Sequence, residues 1–160
     1  MYIFENVWLK ETESKKDVID LWINENVFPK EIAEQRAKQL VFIVREESSN
    51  EVIGVSTSYI KQIPTINNNY FYYYRTYVSN NYRGHKLARL IMINTRELFN
   101  KLFLEGKETK AIGIFLEVEN EALKKRIKAH WEYPNFIFTF IGTIPNGSHI
   151  RITYFDNALI

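Results

Sequence analysis

The chain has 160 residues, 46% hydrophobic and 25% charged, with no cysteine and a net charge of +2 from 21 basic and 19 acidic side chains. That composition belongs to a globular protein; it excludes a disulfide scaffold and thiolate chemistry, and so balanced a charge argues against a dedicated nucleic-acid binder. No apolar run reaches the roughly 18 residues that cross a bilayer, and the opening MYIFENVWLKE lacks the form of a secretory signal, so no membrane partner and a cytoplasmic location are expected.

At this length one domain spanning 1–160 is expected. Tyr2 to Lys10 reads as a first strand, with Ile3, Val7 and Trp8 as its apolar side chains. Ser14 is placed to cap a helix carrying Val18, Leu21, Trp22 and Val27; Pro29 ends it and opens a second helix, Lys30 to Gln39. Leu40 to Val44 is a strand, and the polar loop Glu46 to Asn50 turns the chain back into a third, Glu51 to Lys61, antiparallel to it. Tyr70 to Val78 is a fourth, of aromatic and β-branched residues that fit a half-buried pleat.

A polar break, Ser79 to Tyr82, and the basic stretch Arg83-Gly84-His85-Lys86 lead into a long helix. Leu87, Leu90, Ile91, Leu98 and Leu102 follow the spacing of one helix face, and Glu105-Gly106-Lys107 supplies the stop. Ala111 to Val118 has the continuous apolar character of a buried parallel strand. A helix from Asn120 to about Trp131, ended by Pro134, then precedes a sixth strand at Phe136 to Thr143. The turn Pro145-Asn146-Gly147-Ser148 joins it to a seventh, Ile150 to Phe155. The class is α+β: a mixed, mostly antiparallel seven-stranded sheet with one central, right-handed parallel β–α–β crossover.

A strand that feeds a helix through a tight basic turn gathers unpaired N–H groups and the positive end of the helix dipole at one point, which suits a phosphate. The run from Val78 to Ala88 resembles the acyl-CoA pyrophosphate loop of the GNAT superfamily of N-acetyltransferases, V-x-P-x-[YF]-R/Q-x-x-G-x-G/A. Val78, Tyr82, Arg83 and Ala88 fall on that pattern; Asn80 replaces the usual proline and Lys86 the first loop glycine. The order of elements is also that family's, so the resemblance spans nearly the whole chain.

The resemblance implies the GNAT fold, helices on both faces of the sheet, and acetyl-CoA as co-substrate. Transfer to a primary amine would be direct, within a ternary complex. The fourth-strand backbone near Tyr77 and Val78 would hold the pantetheine arm where the fourth and fifth strands splay. Arg83, Gly84, His85, Lys86, Leu87 and Ala88 would hold the diphosphate. Asn120 matches an asparagine that helps bind the cofactor in this family; it reads equally as a helix N-cap, and the two roles are compatible. The family's usual acid, a tyrosine on the last helix, falls on Ile127, which leaves Tyr133 as the nearest substitute and His130 as another.

Candidate bases are Glu117 and Glu119, which alternate with Leu116 and Val118 and so share the opposite face; a solvated strand end is the other reading of both. Tyr72 and Tyr74 read as packing residues, and Arg75 as a partner for one of the glutamates. The three histidines lack metal spacing, so no metal is expected. The acceptor is a small-molecule or peptide amine, with nucleic acid entering only as an acylated RNA, and a homodimer is compatible with exposed sheet edges. Two other accounts stand beside this one: a degenerate member that binds acyl-CoA or a partner without catalysis, and RNA association through Lys124-Lys125-Arg126 and Lys128.

Overall fold

The computed structural model describes residues 1–84 and 86–160. Its strands are β1 (Tyr2–Asn6), β2 (Leu40–Glu46), β3 (Val52–Ile63), β4 (Asn69–Val78), β5 (Ala111–Val118), β6 (His130–Glu132), β7 (Ile137–Thr143) and β8 (His149–Tyr154). They form a sheet in the order β1-β2-β3-β4-β5-β8-β7-β6. Helices are α1 (Ser14–Asn24), α2 (Lys30–Ala37), α3 (Leu87–Leu104) and α4 (Glu121–Lys124). β4 and β5 pair in parallel across α3, whereas β2 runs antiparallel to β1 and β3, and β8 to β5 and β7. The parallel register runs from Tyr70↔Ala111 to Tyr73↔Phe115, and both strands continue past it, β4 to Val78 and β5 to Val118.

Backbone contacts sort the chain into two compact units, Met1–Tyr59 with Arg75–Thr95 and Ile60–Tyr74 with Arg96–Ile160. In the first, strand alternation sends Ile43 into a cluster with Val18, Trp22, Ala33 and Ala37, while its neighbour Val44 joins Ile53, Leu87 and Ile91. Thus α1 and α2 cover one face of these strands and the first half of α3 covers the other. Gly54 permits the second contact, because a methyl group there would stand 2.8 Å from Ile91 Cδ1 and 3.3 Å from Leu87 Cδ2. The buried polar groups at this seam satisfy one another: Ser56 Oγ lies 2.9 Å from Thr95 Oγ1 and accepts the Phe42 N–H at 3.2 Å.

The second unit has an aromatic core. Tyr72 stacks on Phe99 with ring centroids 3.9 Å apart, and its hydroxyl donates to Glu108 at 2.7 Å. Phe71, Ile114 and Phe138 are fully buried. Arg96, also buried, donates to Asp156 and to the Tyr154 carbonyl, each at 3.0 Å, with its guanidinium over the rings of Phe136 and Phe155.

The structure corrects several expectations. The sheet has eight strands rather than seven, because the helix expected from Asn120 to Trp131 ends at Lys124 and His130–Glu132 pairs with β7 instead. Ser14 is the first residue of α1 rather than its cap, and its hydroxyl donates to Glu5 at 2.9 Å. On α3 the buried residues include Leu87, Ile91, Thr95 and Phe99, four apart, with Met92 and Arg96 beside them; Leu90 is 38% exposed and lies off that stripe.

Gly113 faces Tyr154 on β8, and a methyl group there would meet the Thr153 carbonyl oxygen at 2.1 Å. The nearest atoms all belong to the Thr153–Tyr154 backbone, which leaves nothing flexible to yield. Gly113→Ala is therefore expected to cost about 3 kcal/mol or more, at the upper end for overpacking, read as a fall in the urea unfolding midpoint.

Candidate active site

The turn from β4 to α3 is built on packing. Val78 and Tyr82 lie against the cluster of Val44, Ile53, Leu87 and Ile91, so the loop is anchored at its entry and at the first residue of α3. Between the anchors, the Ser79 N–H donates to the Ile53 carbonyl at 2.9 Å, and Asn80–Tyr82 form a short 3-10 turn. Arg83, Gly84, Lys86 and Ala88 are left exposed. Gly84 takes φ 83° and Lys86 φ 60°. Lys86 thus keeps the left-handed conformation that favours glycine, at a cost of about 1–2 kcal/mol for a residue with a side chain. His85 lies outside the described residues.

The Arg83 Nε donates to the Val78 carbonyl at 3.3 Å, and its guanidinium carbon lies 5.6 Å from the centre of the Tyr77 ring. Tyr77 in turn donates its hydroxyl to Glu25, a residue that sequence reasoning missed. Glu25 follows the last turn of α1 and also accepts from Ser79 Oγ at 2.6 Å and the Asn80 N–H at 3.3 Å. Burial pushes the Glu25 carboxyl up, but the bonds from Ser79, Tyr77 and Asn80 outweigh it and hold the group below its ordinary value. The same burial, with the carboxylate alongside, pushes the Tyr77 phenol up to about 12.

In the second unit the half-buried Glu117 accepts from the Tyr73 hydroxyl at 2.5 Å and from the Asn146 side-chain amide at 3.3 Å. Lys61 stands nearby, its Nζ 5.1 Å from the Tyr73 ring centre. The Tyr73 bond, helped by Asn146, Ser148 and the Lys61 charge, holds the Glu117 carboxyl below its ordinary value. Glu119, by contrast, is exposed and lies beyond the end of β5. Asn120 caps α4, its Oδ1 accepting from Ala122 N at 2.9 Å and Leu123 N at 3.3 Å. Tyr133 follows β6 rather than a helix; its ring stacks on Phe136 at 4.6 Å and meets Phe138 edge-on. Ile127 is 84% exposed on the loop after α4, and His130 reaches Thr139 Oγ1 at 3.1 Å. Arg75 lies over the Tyr59 ring at 5.7 Å.

Arg151 explains the lost helix. Only 1% exposed, it donates to the carbonyls of Arg126, Lys128 and Ala129 at 3.2, 2.8 and 3.2 Å, and its guanidinium lies 3.9 Å from the centre of the Trp131 ring. Carbonyls that a helix would turn toward later amides are satisfied by a guanidinium from β8 instead.

No family model matches the sequence, and no curated protein matches it. Among solved structures, NAA60 of Arabidopsis thaliana in complex with acetyl-CoA superposes at TM-score 0.58 and 15% identity, over 99% of this chain and 100% of that one. The ribosomal-protein-S18-alanine N-acetyltransferase of Escherichia coli superposes at 0.56 and 13% identity, over 100% of both chains. A Desulfovibrio desulfuricans protein assigned to the GNAT acetyltransferase family does so at 0.53 and 13% identity, over 96% of this chain and 97% of that one. The fold is that of the GNAT acetyltransferases. Identities this low show the fold alone; the GNAT architecture includes the parallel β4–α3–β5 crossover that the sequence implied, with an eighth strand besides.

Because the folded-state carboxyl of Glu117 lies below its ordinary value, its contribution to stability is present at neutral pH and is lost as the pH falls through the folded-state value. Tyr73→Phe removes the largest cause of that shift. In urea unfolding the variant is expected to trail wild type at about pH 7, with the gap narrowing toward about pH 3.

Proposed function

We propose that the protein is an acetyl-CoA-dependent N-acetyltransferase that passes the acetyl group directly to a primary amine, with residues 1–160 acting as one domain. The observation that carries this reading is the turn from β4 to α3. Its exposed Arg83, left-handed Gly84 and Lys86, and the helix start at Leu87 and Ala88 make a cradle of main-chain N–H groups and positive charge. The diphosphate of the cofactor sits there; His85 belongs to the same loop. The acetyl-CoA present with the Arabidopsis neighbour supports the choice of co-substrate.

In this reading the β4 backbone around Tyr77 and Val78 binds the pantetheine arm as an added strand. Asn120, its Oδ1 engaged in capping α4, turns its amide NH2 to the cofactor. A neutral amine attacks the thioester carbonyl; the N–C bond forms, the C–S bond breaks and coenzyme A departs as thiolate. Glu117 is the base. Its carboxyl is held ionised at neutral pH and takes the proton that the ammonium form must lose. Glu119, exposed past the strand end, is the weaker candidate, and Tyr133, its ring committed to packing, the weaker acid; thiolate leaves without one. The acceptor is a small-molecule or peptide amine, as the Escherichia coli neighbour's protein alanine illustrates.

A second reading, acyl-CoA binding without catalysis, is favoured by one observation: the position of the family's usual acid is Ile127, on a loop rather than a helix. Two measurements separate the readings. Acetyl-CoA is expected to raise the thermal midpoint of wild type but not of Arg83→Glu. With an amine panel, wild type is expected to release free coenzyme A, and Glu117→Gln to lower kcat by about 10²–10⁴ with KM for acetyl-CoA unchanged. A thermal shift without release from any amine selects the second reading; no shift at all removes both.

A further inference from the structure

Glu25 has no counterpart in the loop motif, yet it holds the loop's entrance. It stands on a firm base: its own N–H donates to the Leu21 carbonyl at 2.9 Å, closing α1 beside the buried Trp22, and Asn26 then reverses the chain with φ 56°. From that base one carboxylate accepts the Tyr77 hydroxyl, the Ser79 hydroxyl and the Asn80 N–H, contacts that span more than 50 residues of sequence. Ser79 is buried, so its hydroxyl has few other partners to turn to. The Tyr77 ring held this way lies under the Arg83 guanidinium, whose Nε also donates to the Val78 carbonyl.

We propose that Glu25 is the positioning residue of the diphosphate loop, clamping the end of α1 to the turn that leaves β4 and, through Tyr77, setting where Arg83 stands. The inference rests on the reading that this loop holds the diphosphate of coenzyme A. Without the carboxylate, the Tyr77 and Ser79 hydroxyls and the Asn80 N–H lose their common acceptor, and the turn gains the freedom that binding must then remove. Arg83 loses the fixed ring beneath it. Glutamine at this position keeps one oxygen, which accepts either from Ser79 or from Tyr77 and Asn80, so it restores part of the effect.

The test is a double-mutant cycle on coenzyme A affinity, measured by calorimetry with wild type, Glu25→Ala, Arg83→Ala and the double variant. Glu25→Ala is expected to weaken coenzyme A at least tenfold in wild type but less than twofold once Arg83 is absent. Glu25→Gln and Tyr77→Phe should fall between wild type and Glu25→Ala. A Glu25→Ala protein that binds within twofold of wild type overturns the proposal. So does an equal loss with and without Arg83, the mark of a merely structural role. Should Glu25→Ala not fold, Glu25→Gln enters the cycle with an expected threefold loss that depends on Arg83. If Arg83→Ala itself leaves affinity unchanged, the diphosphate assignment fails and this inference with it; if only the Glu25 term is absent, the assignment stands and the inference alone falls.

Discussion

The start of α3 is fixed by the contact of Leu87 and Ile91 with the space that Gly54 leaves on β3. Once the helix begins at Leu87 and β4 ends at Val78, the intervening residues must cross a set span and turn into the helix axis. That constraint accounts for the left-handed backbone at Gly84 and Lys86. A lysine in that conformation is strained on its own; the packed anchors at Val78, Tyr82 and Leu87 supply what holds it. Where the turn stands is therefore a consequence of core packing.

Carboxylates act as cross-links in both units. Glu25 gathers two hydroxyls and an amide at the exit from β4; Glu117 gathers a phenol and a carboxamide near the end of β5. In each, neutral donors stabilise the ionised form more than partial burial opposes it, so both groups remain charged at neutral pH. The consequences differ with position. Glu25 ties the end of α1 to the exit from β4, whereas Glu117 ties the end of β5 to Tyr73 on β4 and to the turn that carries Asn146.

Arg151 shows how a single buried cation redirects local structure. The segment after Asn120 has a good N-cap, and the helix does begin there, but a guanidinium from β8 claims the carbonyls of Arg126, Lys128 and Ala129 before a second turn is complete. Trp131 covers that guanidinium, and the chain, freed from helical geometry, adds β6 to the edge of the sheet.

The strands at Leu40, Val52, Tyr70 and Ala111, the long helix and the parallel crossover were legible in the amino-acid sequence, because alternation and helical spacing are properties of neighbouring residues. So was the turn from β4 to α3, because the change from a strand pattern to a helical one is written in consecutive positions. Three things were decided only by the tertiary structure: the donors that gather on Glu25, the bonding of Glu117 to Tyr73 and Asn146, and the replacement of the last helix by a loop and a strand. Each depends on a partner more than 20 residues away. Local pattern carries no information about which distant donor will arrive at a carboxylate, or which distant cation will arrive at a carbonyl; the packed chain alone brings them together.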